Sequence, residues 1–250
     1  MKDRVVVVTG GGTGIGRSIS ERFAEAGAKV IVNYSRSRED AEDTAQSIRA
    51  KGGTAIAVGA DISKDAEAHA LMKRAIDEFG RLDCLVNNAG WSTRVPHAQF
   101  DALTDEIWNH VFETNLHGAF YCVRAATPHL KKQEGSSIVN IASVAGLMGQ
   151  GSSMAYAASK GGMITLTKSL ARALAPHVRV NAVLPGFVRT RFAGWTEDAF
   201  SAAEKQTPLR RLATADEVAL ATLFFAAYAT GTTGETLVVD GGMAPLGPSL

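Results

Sequence analysis

Tyr156 and Lys160 stand four residues apart, a spacing that sets both on one face of a helix. A free phenol titrates near ~10 and a lysine near ~10.4, and a cation beside the phenol favours phenolate and lowers its pKa. Such a pair can give or take a proton at a carbonyl or alcohol oxygen. Ser143 closes an apolar run and can donate a hydrogen bond to an oxygen on which charge develops. Asn115 puts a polar side chain inside the otherwise apolar stretch 111–123. Taken singly, each has an ordinary reading. A Tyr/Lys pair at this spacing is usually a solvated helix face, a serine ending a strand is usually a turn or cap, and a mid-helix asparagine usually bonds back to its own helix.

A second chemical feature lies near the N-terminus, in Thr9-Gly10-Gly11-Gly12-Thr13-Gly14-Ile15-Gly16. Four valines precede it, and Ile15, Ile19, Phe23 and Ala26 follow at helical spacing. Glycines between a strand and a helix let the backbone turn sharply and approach a pyrophosphate, whose charge rests at the helix N-terminus.

The elements needed to hold these groups alternate along the chain. Apolar runs at 5–8, 30–32, 55–58, 82–86, 137–141, 178–184 and 237–239 read as strands buried on both faces. Helical segments separate them. One opens at an S-x-x-D box, Ser37 to Asp40; one is capped by Ser63; the others are a long stretch over 101–130, one over 154–175 stopped by Pro176, and one over 215–228. Alternation of this kind predicts an α/β, doubly wound Rossmann fold, a seven-stranded parallel sheet with helices on both faces. Its 250 residues suit a single domain over 1–250. The irregular segments 91–100 and 186–208 follow strands, where such folds bind ligands.

Composition excludes several classes. The formal net charge is +1, too small for a nucleic-acid footprint or a polybasic membrane arm. Two cysteines, Cys84 and Cys122, make no disulfide framework, and the histidines show no metal spacing. No run is long enough to span a bilayer, and the first residues lack a signal-peptide core, so a cytoplasmic protein without nucleic-acid or membrane partners is expected.

Together the motifs resemble the short-chain dehydrogenase/reductase family. The glycine spacing is T-G-x-x-x-G-x-G, Asn87-Asn88-Ala89-Gly90 follows the fourth strand, Ser143 and Tyr156 are thirteen residues apart with Lys160 four further on, and Pro185-Gly186 ends the sixth strand. The resemblance implies Tyr156 as catalytic acid/base, Ser143 as the group that polarises the carbonyl, and Lys160 as holder of the nicotinamide ribose and tuner of the phenol. It implies that Asn115 supports a water linking Lys160 to solvent. It implies cofactor contacts at Gly10, Gly12, Thr13, Gly14, Ile15 and Gly16, at Asp61 and Ile62 beside the adenine, at Asn88, Ala89 and Gly90, and at Pro185, Gly186, Val188 and Thr190. A homotetramer is implied as well, its helices over 101–130 and 154–175 packing on their copies through small residues such as Ala155, Ala157, Ala158, Gly161 and Gly162.

Cofactor choice turns on the end of the second strand, where NAD-binding members carry an acid for the ribose hydroxyl. Here that place holds Tyr34, followed by Ser35 and Arg36, which could bind a 2′-phosphate. NADP(H) is therefore favoured, although Thr13 stands where many NADP-dependent relatives carry a basic residue, and NAD(H) stays possible. The substrate pocket is expected from 91–97, from 145–154 with Leu147 and Met148, and from a lid over about 187–209. That lid offers Phe187, Phe192 and Trp195 with the charges of Arg189 and Arg191. A medium-sized carbonyl or alcohol fits, the best expectation being a 3-oxoacyl or small-ketone reductase and the alternative a glucose-type sugar dehydrogenase. Gln133-Glu134 and His177 stand where carrier-protein reductases tend to be basic. A non-catalytic dinucleotide sensor and an isomerase or dehydratase are the readings from other classes.

Overall fold

In a computed structural model, which describes residues 1–246, all seven expected strands form one parallel sheet. Positions 247–250 of the expected domain lie outside the described residues. In chain order the elements are β1 (Val5–Val8), α1 (Gly14–Glu25), β2 (Lys29–Tyr34), α2 (Arg38–Ala50), β3 (Thr54–Gly59) and α3 (Asp65–Phe79). Next come β4 (Cys84–Asn87), α4 (Asp105–Phe112), α5 (Gly118–Leu130), β5 (Ser137–Ile141), α6 (Ala145–Met148) and α7 (Met154–Leu174). The chain ends with β6 (Arg179–Pro185), α8 (Glu197–Gln206), α9 (Ala215–Leu223), β7 (Thr236–Val239) and α10 (Met243–Leu246).

The strand order is β3-β2-β1-β4-β5-β6-β7, so the winding reverses between β1 and β4. Alternate strand residues feed opposite faces, as the pleat requires. Val6, Val8, Val30, Val32, Val86 and Val139 pack with α1, α2 and α9. Val5, Val7, Ile31, Leu85, Ile138 and Val180 pack with α3, α5 and α7. A sheet covered on both sides explains why its strands are continuous apolar runs. Arg22 of α1 adds a bidentate pair to Asp216 of α9, at 2.5 and 2.7 Å.

Three local expectations are corrected. The long stretch 101–130 is broken into a short 3-10 turn at Phe100–Ala102, α4, a π turn at Glu113–His117, and α5. The extra residue in the π turn rotates Asn115 into the interior, where its side chain is fully buried. Ser37 makes no side-chain capping bond, and Asp40 of the expected box is engaged by Arg191 at 2.9 Å. Ser63 does not cap α3 either; its hydroxyl and its N–H both turn back to Asp61 Oδ1, at 2.7 and 3.1 Å. A complete capping box forms instead at Thr214 and Glu217, opening α9.

Most of the small residues of α7 are used within the chain, Ala158 being exposed. Ala155 and Ala157 are buried, Gly161 lies against Gly146 of α6, and Gly162 against Leu116 of the π turn.

Candidate active site

The C-terminal ends of the strands open into one cleft of about 1390 Å³ at the β1/β4 reversal. Its floor begins with the glycine loop. Gly10 and Gly14 take left-handed backbone conformations, at φ +59° and +51°, which glycine adopts without strain. At Gly16 a Cβ would stand 2.1 Å from the Gly10 carbonyl, and at Gly12 2.7 Å from the Ala41 backbone, so neither position has room for a side chain. Thr13 precedes α1 without a side-chain cap, and the first turn holds no acid. The leading N–H groups of α1 therefore face the cleft free to meet an anion. With Gly10, Gly12, Thr13, Gly14, Ile15 and Gly16 all lining the cleft, the loop fits a dinucleotide pyrophosphate.

Asn33, which sequence reasoning passed over, fixes this loop. Its Oδ1 accepts from Gly10 N–H at 3.3 Å, while its Nδ2 donates to the Val58 and Ala60 carbonyls at 3.2 and 3.0 Å. Asn88 closes the loop from the other side, donating to the Thr9 and Gly10 carbonyls at 2.9 and 3.1 Å. Tyr34, Ser35 and Arg36 line the outer end, the Tyr34 ring lying against Gly59. Neither Arg36 nor Arg38 pairs with a carboxylate among the described residues. Asp61 and Ile62 also line this end. Burial pushes the Asp61 carboxyl up, but the Ser63 hydrogen bonds and the Lys64 charge outweigh it and leave the group below its usual range.

At the inner end the cleft brings together Ser143, Tyr156 and Lys160. The Ser143 hydroxyl donates to the Pro185 carbonyl at 3.4 Å and accepts from Ala145 N–H at 3.1 Å. Ser153 starts α7, its hydroxyl accepting from the Tyr156 N–H at 3.2 Å. Lys160 Nζ donates to the Ile141 carbonyl at 2.8 Å and lies 5.7 Å from the centre of the Tyr156 ring.

The electrostatics differ from the sequence expectation. Burial pushes the Tyr156 phenol up to about 12, with Ser143 pulling the other way. Burial pushes Lys160 down to about 8. The lysine does not depress the phenol here, because the same dense surroundings that raise one group cost the other its charge. The Tyr156 ring is itself partly open to the cleft, so what fills the cleft bears on its working pKa.

Asn115 does not line the cleft. Its Oδ1 accepts from Trp91 N–H at 2.7 Å, and its Nδ2 donates to the Trp91 carbonyl and to Ser159 Oγ, both at 3.1 Å. Ser159 in turn donates to the Tyr156 carbonyl at 2.8 Å. Asn115 thus ties the segment after β4 to the helix that carries Tyr156. Asn88, Ala89, Gly90, Pro185, Gly186, Val188 and Thr190 all reach the cleft, and a Cβ on Gly14 would sit 3.1 Å from Thr190. Asp240, also missed in the sequence, lines it too, held by the N–H groups of Gly242 and Ala244 at 2.8 and 2.6 Å.

The substrate end is walled by Trp91, Met148, Phe187, Phe192, Trp195 and Met243. Phe192 lies 5.6 Å from Tyr156 and Phe187 5.0 Å from Trp195, ring centre to ring centre. Leu147 does not contribute; it is exposed outside the cleft. Arg189 pairs with Glu197 and Glu204, and Arg191 with Asp40, so both lid arginines are neutralised.

Comparison with known proteins gives a consistent result. The family model for short chain dehydrogenases matches residues 4–199. A protein of Streptomyces violaceoruber, named as ketoacyl reductase 2 of the granaticin polyketide synthase, is 42% identical over 95% of each chain. The 3-oxoacyl-acyl-carrier-protein reductase FabG of Staphylococcus aureus is 40% identical over 95% of this chain and 96% of its own. Among solved structures, a short-chain dehydrogenase/reductase from Brucella melitensis, described as of glucose/ribitol dehydrogenase type, superposes with a TM-score of 0.89 at 34% identity, covering 97% of both chains.

Proposed function

The chain belongs to the short-chain dehydrogenase/reductase family and is an oxidoreductase of the nicotinamide-dependent kind; within that family we propose that it is an NADP(H)-dependent reductase of a 3-oxoacyl group or small ketone, with Tyr156 as acid/base. The observation that carries this reading is that Ser143, Tyr156 and Lys160 open onto the same cleft as the glycine loop.

The bound dinucleotide supplies the hydride. Tyr156 gives its hydroxyl proton to the carbonyl oxygen in reduction and takes one from the alcohol in oxidation. Ser143 donates a hydrogen bond to that oxygen as negative charge gathers on it. Lys160, charged at neutral pH, holds the ribose and restores the phenol's proton. Asn115 supports the water that connects Lys160 to solvent, and its bonds to Trp91 and Ser159 hold the two sides of the pocket in register. Gly10 to Gly16 take the pyrophosphate, Asp61 and Ile62 the adenine, Asn88 to Gly90 the neighbouring ribose, and Pro185, Gly186, Val188 and Thr190 the carboxamide end.

NADP(H) is supported by the unneutralised Arg36 and Arg38, by Ser35, and by the want of an acid at Tyr34. A 3-oxoacyl substrate is supported by the aromatic walls and by the names of the two relatives. The lid spans about 187–209, and the working form is a homotetramer. Two free buried thiols suit the cytoplasm. The test is nicotinamide absorbance with each cofactor against 3-oxoacyl thioesters, small ketones and aldoses. Reduction of the thioesters with tighter NADPH than NADH is expected; strong NAD preference or oxidation of aldoses alone would favour the sugar-dehydrogenase reading. Tyr156→Phe is expected to bind the dinucleotide normally and lose turnover by about 10²-fold or more, since the shape stays and the proton goes. Dinucleotide binding with no turnover of any substrate would make the protein a sensor.

A further inference from the structure

Arg94 is an unspent cation beside the substrate end. Unlike Arg189 and Arg191 on the lid, it has no carboxylate partner among the described residues. Its guanidinium instead lies over the Trp195 ring, 4.8 Å from the centre. Its backbone is not loose. Ser92 Oγ lies 2.5 Å from Ser152 Oγ, and Val95 N–H donates to the Ser152 carbonyl at 2.8 Å, so the segment that carries Arg94 is pinned on both sides to a cleft-lining residue. Ser92, Val95 and Ser152 are all buried, while the Arg94 side chain is exposed.

The N–H edges of a guanidinium match the two oxygens of a carboxylate or phosphate, and those of Arg94 meet no carboxylate among the described residues. Trp195 is part of the cleft wall and the exposed Arg94 side chain lies against it outside the lining, within reach of a substrate too long for the aromatic pocket. The carboxylates that line the cleft do not compete. Asp61 and Glu67 lie at the dinucleotide's outer end, and both Asp240 oxygens are held by backbone N–H groups.

We propose that Arg94, seated on Trp195, recognises an anionic group carried by the substrate beyond an apolar spacer, and so selects acidic ketones over neutral ones. This rests on the reductase reading above. The anion has two possible sources, a terminal carboxylate on a keto acid or a phosphate on a thioester carrier, and the two are separable.

The experiment compares wild type, Arg94→Gln and Arg94→Lys on matched pairs. One pair is a 3-oxoacyl coenzyme A thioester and its neutral N-acetylcysteamine counterpart. The other is an oxo-dicarboxylic acid monoester and its diester. For the pair carrying the recognised anion, Arg94→Gln is expected to raise KM by about tenfold, the loss of one charged hydrogen bond, with kcat unchanged. The neutral member should change less than about twofold, and Arg94→Lys should recover part of the loss. Response of the thioester pair alone assigns the phosphate, and of the acid pair alone the carboxylate. Equal effects on charged and neutral members would make Arg94 only a lid clasp and overturn the proposal, as would no effect on either. Calorimetric binding of the same pairs reads the charge preference without turnover, so failure of the reductase reading leaves this result interpretable.

Discussion

At the scale of single residues, the phenol proposed as acid/base is a proton donor held ready. A phenol pushed up to about 12 stays protonated across the physiological range, and a lysine pushed down to about 8 loses its charge just above it. Of the two, Lys160 is therefore expected to set the pH dependence of the proposed reduction. With Lys160 charged and Tyr156 protonated, kcat/KM for ketone reduction should be level from pH 6 to about 8 and fall above it as the ammonium deprotonates. A profile level to pH 10, or one whose basic limb survives in Lys160→Arg, would assign the limb to another group. The same shift links to stability with the opposite slope. Between about 8 and 10.5 the unfolded chain still holds a proton that folded Lys160 has released, so the fold gains stability as pH rises through that window. These values could not be read from the sequence. Four-residue spacing announces the Tyr156–Lys160 pair because helical neighbours are local, but burial depends on β5, α6 and the lid, which are distant in sequence. The same reason hid Asn33 and Asp240, whose partners lie on other loops, while Ser143, Tyr156 and Lys160 sit in one short, legible run.

At the scale of elements, the site depends on how closely α1, α2 and the glycine loop approach. Thr44 of α2 donates its hydroxyl to the Gly12 carbonyl at 3.0 Å, and a Cβ on Gly12 would sit 2.7 Å from the Ala41 backbone. Gly12→Ala must therefore push α2 away from the loop, and a loss of about 1–3 kcal/mol in stability with weakened dinucleotide binding is expected. Gly52 is the control. It has a positive φ of +84° but nothing within 4 Å of a built Cβ. Gly52→Ala should cost about 1 kcal/mol from backbone conformation alone and leave dinucleotide binding unchanged. Denaturant midpoints with fluorescence titration of NADPH would separate the two, and equal effects on binding would deny the loop its special fit. The strands and the glycine loop were legible because their signals are periodic or compositional. The π turn at Glu113–His117 was not, since it inserts one residue into a pattern that reads as uninterrupted helix. Its consequence, a buried Asn115 that joins Trp91 to Ser159, is visible only once α7 lies alongside.

At the scale of the whole molecule, several of the exposed large apolar residues lie on two sets of elements. One is made up of Leu220 of α9, Phe224 and Tyr228 of the π turn after it, and Leu237 on β7, one of the two edge strands of the sheet. Tyr228 is 69% exposed, unusual for so large an aromatic side chain. The other is on α4, where the exposed Trp108 stacks on Phe112 at 5.3 Å, and on α5, where Phe120 is exposed. A bare edge strand and two separate apolar faces are liabilities for a monomer, and two distinct self-complementary contacts generate a closed four-subunit assembly with three twofold axes. Gly161 and Gly162 of α7 pack within the chain, on Gly146 and Leu116, so of the two expected helical contacts the one over 101–130 (α4/α5) is the better candidate, with α9/β7 as the second face. Light scattering should then give about four times 26.3 kDa for the wild type. Phe224→Asp should halve that mass by opening one interface, Phe120→Asp should halve it by opening the other, and the double variant should be a monomer. Both exposed positions lie away from the cleft, so the halved species should keep NADPH binding. A monomeric wild type, or a tetramer indifferent to both substitutions, would mean that these faces serve some other purpose.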